Sequence, residues 1–303
     1  MIDPFEMIGL LFAEPALILQ LVIDGVLIGA IFALAAYGMA LVWGVMRIVN
    51  ICQGEFVILG GYISFYVWQA GYSLFLGVPA AAILLFMLGW LLYRTIIFRV
   101  VEQDLFISIL ATFGLAILIA QLMNQGFGAD VRTAHAGLGN WFLFDGLVSI
   151  AQVKLVAFGV TGLVALLLVL FMRRTRLGQA IRATAQNARA ARILGIDTHA
   201  VYAFTYGLNA AICGAAGALI VMIWVITPFG GLIYTVRSFM IVVVAGLGNL
   251  PGVIAAGLGL GMFEQFIGFV MGAQMQLALV FVLMVAILIA RSIRLRLQRK
   301  VLE

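Results

Sequence analysis

Nine apolar runs, each ended by a charge cluster or a glycine-rich break, dominate this sequence. They cover residues 17–42, 56–68, 76–93, 105–123, 153–172, 201–226, 239–247, 253–270 and 277–290. Most approach or exceed the 17–25 residues, roughly, that a helix needs to cross a bilayer core. The 239–247 run is short and stops at Gly-Leu-Gly-Asn-Leu-Pro-Gly. Of the 303 residues, 65% are hydrophobic and 10% charged, and mean hydropathy is +1.22. A soluble domain has too little interior to hide so much apolar side chain. Continuous runs without strand alternation exclude an outer-membrane barrel. The 34 glycines suit close helix packing in lipid. The expected fold is an all-α polytopic integral membrane bundle. It is one domain over residues 1–303, with eight to nine transmembrane helices and one or two discontinuous segments.

Charge sets the orientation. Arg173, Arg174, Arg176, Arg182, Arg189 and Arg192 fill one loop, and Arg291, Arg294, Arg296, Arg299 and Lys300 fill the C-terminus. Arg47, Arg94 and Arg99 fall at run ends that agree with these. Basic residues collect on the cytoplasmic side, so these 14 of the 17 mark that side. The N-terminus is then outside, as is the 124–150 loop with Asp130, Arg132, His135 and Asp145. Opposite-sided termini require an odd number of crossings, which favours nine. The first 16 residues hold Asp3, Glu6 and Glu14 and no Lys or Arg, so no cleaved signal peptide is expected. Cys52 and Cys213 sit in apolar surroundings, and two Cys with two His make neither a disulfide framework nor a zinc signature. The pI near 9.5 follows from the topology and does not point to nucleic acid.

The basic loop predicts a helix over 178–194. It is rich in Ala, Arg and Gln, with Ile181, Ala185, Ala188, Ala191 and Leu194 on one face. Arg182, Arg189 and Arg192 share another face, and Gly195 stands at the C-cap. One reading is a helix lying on anionic lipid. An apolar face made mostly of alanine gains little there and fits docking into a protein groove better. A nucleotide-binding P-loop needs Gly-Lys-Ser/Thr. The only lysines, Lys154 and Lys300, are both followed by other residues. Any ATP-driven process would therefore use an ATPase on another chain.

The stretch VMRIVNICQGEFVILGGY (45–62) places Arg47, Asn50, Gln53 and Glu55 within nine residues of an apolar region. Arg47 reads as a boundary anchor. Asn50 and Gly54 read as a helix break, which at membrane depth is tolerated only when buried in protein or lining a watery cavity. Asn50, Gln53 and Glu55 either satisfy the freed backbone, with Glu55 in the first turn of a helix from Phe56, or line a pathway. VVVAGLGNLPGVIAAG (242–257) is a second break. Gly246 and Gly248 permit unusual backbone angles, Asn249 suits an N-cap, and Pro251 suits a first turn. Residues 27–61 and 208–257 share this helix–break pattern, a weak pointer to an internal repeat. Two acids fall inside apolar runs. Asp24 lies about seven residues deep in the first and ranks ahead of Glu264, which has Gln265 beside it. There is no metal helix, nucleophile turn or close acid pair, so no enzyme chemistry is expected.

Together RIVNICQGEFVILGGY (47–62), RTRLGQAIRATAQNARAARILGID (174–197) and GLGNLPG (246–252) resemble the integral permeases of branched-chain amino-acid ABC importers, the LivH type. They stand in that family's order and spacing from about residue 23 to 290. The resemblance implies a permease subunit of an ATP-driven importer in the bacterial inner membrane. A periplasmic binding protein would deliver substrate, a second and different permease would complete the path, and two cytoplasmic ATPase subunits would drive it. This chain would bind no cofactor, ATP being used by the partner. The coupling loop would be 173–198, with Gly178, Arg182, Arg189, Ala190, Ala191 and Gly195 facing the ATPase. On that reading Ala191→Trp uncouples hydrolysis from transport. Asp24, Asn50, Gln53, Glu55, Gly246, Gly248, Asn249 and Pro251 are the pathway or helix-break residues. The family usually reads Asn-Phe-Ala-His-Gly-Glu where this chain has Asn50-Ile51-Cys52-Gln53-Gly54-Glu55. It usually has Asn at Asp24 and often Pro-Glu at Ala188-Arg189. The first two departures leave urea or short amides as alternative substrates, and the last makes the loop more basic. A self-sufficient carrier using Asp24 and Glu264 as ion sites, and a scaffold without a pathway, are the rival classes.

Overall fold

The computed structural model describes residues 4–143, 146–246 and 248–300. Asp3, Asp145 and Leu247 lie outside the described residues, as do the side chains of Arg291, Arg294, Arg296, Arg299 and Lys300. Each apolar run is a helix: α2 (Pro15–Met46), α3 (Gln53–Gln69), α4 (Gly77–Thr95), α5 (Leu105–Phe127), α6 (Gln152–Arg174), α9 (Thr198–Ile220), α10 (Gly231–Ala245), α11 (Leu250–Met271) and α12 (Ala273–Lys300). A short α1 (Pro4–Ala13) precedes them, and α7 (Arg176–Gln186) and α8 (Ala188–Ile193) lie between α6 and α9. Seven stretches are long and apolar enough to cross a membrane by themselves. The 17-residue α3 and 15-residue α10 are shorter, about 25 and 22 Å against a core of about 30 Å.

The first run does not break at its glycines. The 32-residue α2 is one helix, about 48 Å long, which requires tilt in a bilayer. Its glycines serve packing. Gly25 and Gly29 lie against the α11 backbone at Met262 and Gly257, so that a Cβ at either would overlap main-chain atoms. Gly257 and Gly261 return the same contact from α11. Small residues on both sides let two backbones approach closely where lipid supplies no hydrophobic drive. α9 and α10 also pack against α2, α3 and α4 pack on α9, and α2, α3 and α9 carry the most enclosed side chains, among them Ile31, Phe56, Tyr206 and Leu219.

The run read as 201–226 ends as a helix at Ile220, and the chain then turns back. Ile226 and Arg132 exchange backbone hydrogen bonds of 2.8 and 3.0 Å, tying this return loop to the long connection after α5. That connection also holds an antiparallel hairpin, β1 (Asn140–Leu143) and β2 (Val148–Ala151), paired Asn140 with Ala151 through Leu143 with Val148. Neither α1 nor the hairpin is legible in the apolar pattern.

The basic loop is two helices, not one over 178–194. Asn187 adopts φ −157°, ψ 99° and interrupts it. Its Oδ1 accepts from the Ala190 amide at 3.0 Å, capping α8, while Thr175 Oγ1 accepts from Gly178 at 2.9 Å, capping α7. Gly195, at φ +84°, closes α8 as expected. The Gly195 amide donates to Arg192 and that of Ile196 to Ala191, the paired bonds of a Schellman ending. Arg47 lines a cavity with Asn187, and Arg192 pairs with Glu102, so α7 and α8 share one end of the bundle with Arg47, Arg94 and Arg99. This is the basic end of the bundle.

Candidate functional site

α2 ends at Arg47, whose φ of +55° is the one positive value among described non-glycine residues. Arg47 is exposed and stands at the basic end, as a boundary anchor should. From there the chain does not leave the bundle. Gln53 Nε2 donates to the Ala35 carbonyl at 2.7 Å. Ala35 lies 12 residues back from Arg47 along α2, about 18 Å. Residues 48–52 therefore climb back beside α2, and α3 starts inside the bundle. Gln53, not Phe56, is its first residue. The non-helical lead-in is held by side chains. Thr112 Oγ1 on α5 donates to the Val49 carbonyl and accepts from the Ile51 amide, both at 3.2 Å. Asn50 Oδ1 accepts from the Cys52 amide and from Tyr206 Oη, both at 3.2 Å.

α10 also starts inside, at the same place. A Cβ on Gly54 would overlap the Gly231 carbonyl oxygen, and a Cβ on Gly231 would overlap the Glu55 carboxylate. Thr235 Oγ1 accepts from the Gly54 amide at 2.8 Å and donates to the Ile51 carbonyl at 3.0 Å, lacing the two helix starts together. Glu55 makes no capping hydrogen bond. Its buried carboxylate instead sits in the first turn of α3 and against the first turn of α10, where two helix dipoles present their positive ends. Two short helices meeting at their N-termini inside a bundle is the discontinuous-helix arrangement that membrane carriers place around a cargo path.

The seam so formed is polar, buried and incompletely satisfied. Among described residues Asn50 Nδ2, Gln53 Oε1, Glu55 Oε2 and Asn209 Nδ2 have no hydrogen-bond partner. Buried polar groups normally find one, so the seam holds spare hydrogen-bonding capacity that the protein itself does not use. The second break behaves as a turn. Gly246 and Gly248 take φ of +93° and +84°. Asn249 caps α11 through Gly252 (3.2 Å) and reaches back to the Ala245 carbonyl (3.1 Å), with Pro251 in the first turn of α11. These four residues join the basic end, away from the Glu55 seam: Gly248 shares a cavity with Arg182 and Gln186, and Pro251 shares another with Arg173 and Arg182.

The two intramembrane acids are both paired. Lys154 Nζ on α6 lies 2.6 Å from Asp24 Oδ1, with side chains 21% and 14% exposed. Arg237 Nε on α10 lies 2.8 Å from Glu264 Oε1 on α11, with side chains 16% and 6% exposed. With Arg132, which pairs with Asp130 at 3.3 Å, Lys154 and Arg237 are the three basic residues away from the basic end, and each has an acid.

On the basic loop, Arg182, Arg189, Ala190 and Gly195 are exposed, but Gly178 and Ala191 are buried within the chain itself. Gly178 abuts the Phe171 and Met172 carbonyls, and Ala191 is 2% exposed. Ile181 is buried as well. The outward apolar groups are Ile193 and Leu194, 82% and 80% exposed at the tip of α8.

Residues 21–288 match the family model described as the permease component of the branched-chain amino acid transport system. The chain belongs to this permease family. The permease is 29% identical over 285 residues to the high-affinity branched-chain amino acid transport system permease protein LivH of Escherichia coli K12, covering 89% of this chain and 92% of that one. It is 27% identical over 288 residues to BraD of Pseudomonas aeruginosa, also a high-affinity branched-chain amino acid transport system permease protein (90% and 94% covered). A probable branched-chain amino acid transport permease protein LivH of Methanocaldococcus jannaschii is 26% identical over 255 residues, covering 82% and 81%. Among solved structures, PsaBC from Streptococcus pneumoniae in complex with Fab aligns with 91% of this chain and 94% of that one, at 16% identity and a TM-score of 0.41.

The expectation of one helix over 178–194 put Ala191 and Leu194 on a shared face, and the two-helix loop separates them. Asn187 re-aims α8, so Ala191 turns inward and Ile193 outward. The signal was present, since Asn disfavours helix interiors and favours caps. Ala191→Trp would disrupt internal packing and cannot report on docking alone. Arg237 was missed because it reads as a stray basic residue between two apolar stretches.

Proposed function

We propose that this chain is one membrane subunit of an ATP-driven importer for branched-chain or similar small amino acids. A family match over residues 21–288, reaching relatives named for that transport over about nine-tenths of their length, carries the reading. The basic end faces the cytoplasm and the N-terminus the outside. A periplasmic binding protein delivers substrate, a second permease subunit completes the path, and two ATPase subunits hydrolyse ATP, so this chain is not an enzyme and binds no cofactor. The 173–198 segment receives the ATPase through Ile193 and Leu194, rimmed by Arg182, Arg189, Ala190 and Gly195. Two large apolar side chains held in the open beside arginines support a protein partner with an apolar notch and acidic rim. The Asn50–Gln53–Glu55–Asn209 seam is the closed pathway, and its unfilled hydrogen-bonding capacity is used when it opens.

Reconstitution with the binding protein, second permease and ATPases tests this. ATP-dependent uptake of L-leucine into proteoliposomes is expected, and Leu194→Asp should abolish most of it while the purified chain keeps its thermal unfolding temperature. Leucine uptake by the purified chain alone, driven by an ion gradient without ATP, would refute the reading. The carrier alternative is disfavoured by the pairing of Asp24 with Lys154 and of Glu264 with Arg237, which leaves neither site a net negative charge to draw a lone cation.

A further inference from the structure

Buried ion pairs offset their desolvation only when geometry is good and the remaining donors and acceptors are also used. The Arg237–Glu264 pair does not meet that condition. It is a single contact through Nε, and among described residues no hydrogen bond is made by the two Nη groups of Arg237 or by Oε2 of Glu264, which keep some access to their surroundings. A guanidinium presents its widest recognition edge as a planar fork suited to a carboxylate. What surrounds it is aromatic. The Arg237 guanidinium carbon stands 4.7 Å from the Phe32 ring centre and 5.9 Å from that of Tyr234, and Phe32 stacks on Trp224 at 5.7 Å. So α2, α10, α11 and the loop after α9 bring together a cation with spare donors, an anion with a spare acceptor, and apolar rings.

An amino-acid zwitterion with an apolar side chain offers the complement of all three. We propose that Arg237 and Glu264 form a recognition site for that zwitterion, the carboxylate on the free nitrogens of Arg237 and the ammonium on Oε2 of Glu264. The side chain then lies beside the partly exposed Trp224, while the buried Phe32 backs the guanidinium. The guest closes a ring of alternating charge, and the protein pair need not separate to admit it. This deepens the importer reading and rests on it. It also explains a costly pair: a purely structural tie between α10 and α11 would hold as well with two apolar residues.

The test uses the assembled importer in nanodiscs, without nucleotide, and measures equilibrium binding of L-leucine, 4-methylpentanoate (no ammonium) and 3-methylbutan-1-amine (no carboxylate). The wild type should bind leucine about tenfold or more tightly than either analogue, as charge-assisted hydrogen bonds of about 1.5–3 kcal/mol require. Arg237→Gln should weaken leucine to the level of the amine and leave the amine unchanged. Glu264→Gln should weaken leucine to the level of the acid and leave the acid unchanged. Should either single variant fold poorly, the neutral pair Arg237→Gln/Glu264→Gln should fold and bind all three ligands alike. A neutral pair that binds and transports leucine like the wild type overturns the site, as does an equal loss for all three ligands in the single variants. If the wild-type importer takes up no amino acid under ATP, the failure belongs to the importer reading instead.

Discussion

Asp24–Lys154 and Arg237–Glu264 are the same chemistry in two settings. Lys154 is the third residue of α6, so its pair lies close to a helix end, where a long side chain can reach toward water and headgroups. Arg237 is mid-helix on α10, its partner is 6% exposed, and aromatic rings replace water around it. Along the sequence Asp24 looks the deeper acid. In space the distinction is made by what stands across from each carboxylate and how well it is sealed. Depth counted along one helix is a poor guide when a neighbouring helix can bring its terminus alongside.

The largest effect that would test this contrast is Arg237→Leu, which strands Glu264 and should cost ~3–5 kcal/mol. Thermal unfolding in detergent would show it, and an unchanged midpoint would erase the difference between the pairs. Lys154→Met strands Asp24 in a wetter place and should cost only about 1–2 kcal/mol by the same measurement. Gln53→Ala is the uncharged reference. It removes the 2.7 Å bond to Ala35 and should cost about 1 kcal/mol, seen as faster hydrogen exchange at the start of α3. A loss as large as that of Arg237→Leu would mean that the polar seam, not the ion pair, is the costlier interior. Smallest of all should be the exchange Asp24→Lys with Lys154→Asp, within about 1 kcal/mol of wild type, because a pair at a helix end tolerates reversal. A larger loss would show the Asp24 pair to be as specifically seated as the other.

The helices were legible because lipid leaves the backbone no alternative once the side chains are apolar. The break near Asn50 and Gly54, the turn at Gly246–Asn249 and the stop at Gly195 were legible too, because Gly, Asn and Pro signal backbone geometry locally. What escaped depends on partners distant in sequence. That Gln53 reaches Ala35, that Glu55 serves the start of α10, and that Arg237 faces Glu264 are facts of packing, separated by 18 to 176 residues. The loop helix failed for a local reason: one Asn outweighed a run of good helix formers by offering a better cap than a continuation.

The meeting of Gly54 and Gly231 has a mechanical consequence. α10 is a rigid strut about 22 Å long. Its head bears directly on the backbone where α3 begins, and its foot rests on the turn whose Gly248 shares a wall with Arg182 and Gln186 of α7. A push delivered at that foot reaches the centre of the bundle through one straight helix, with no slack loop between to absorb it.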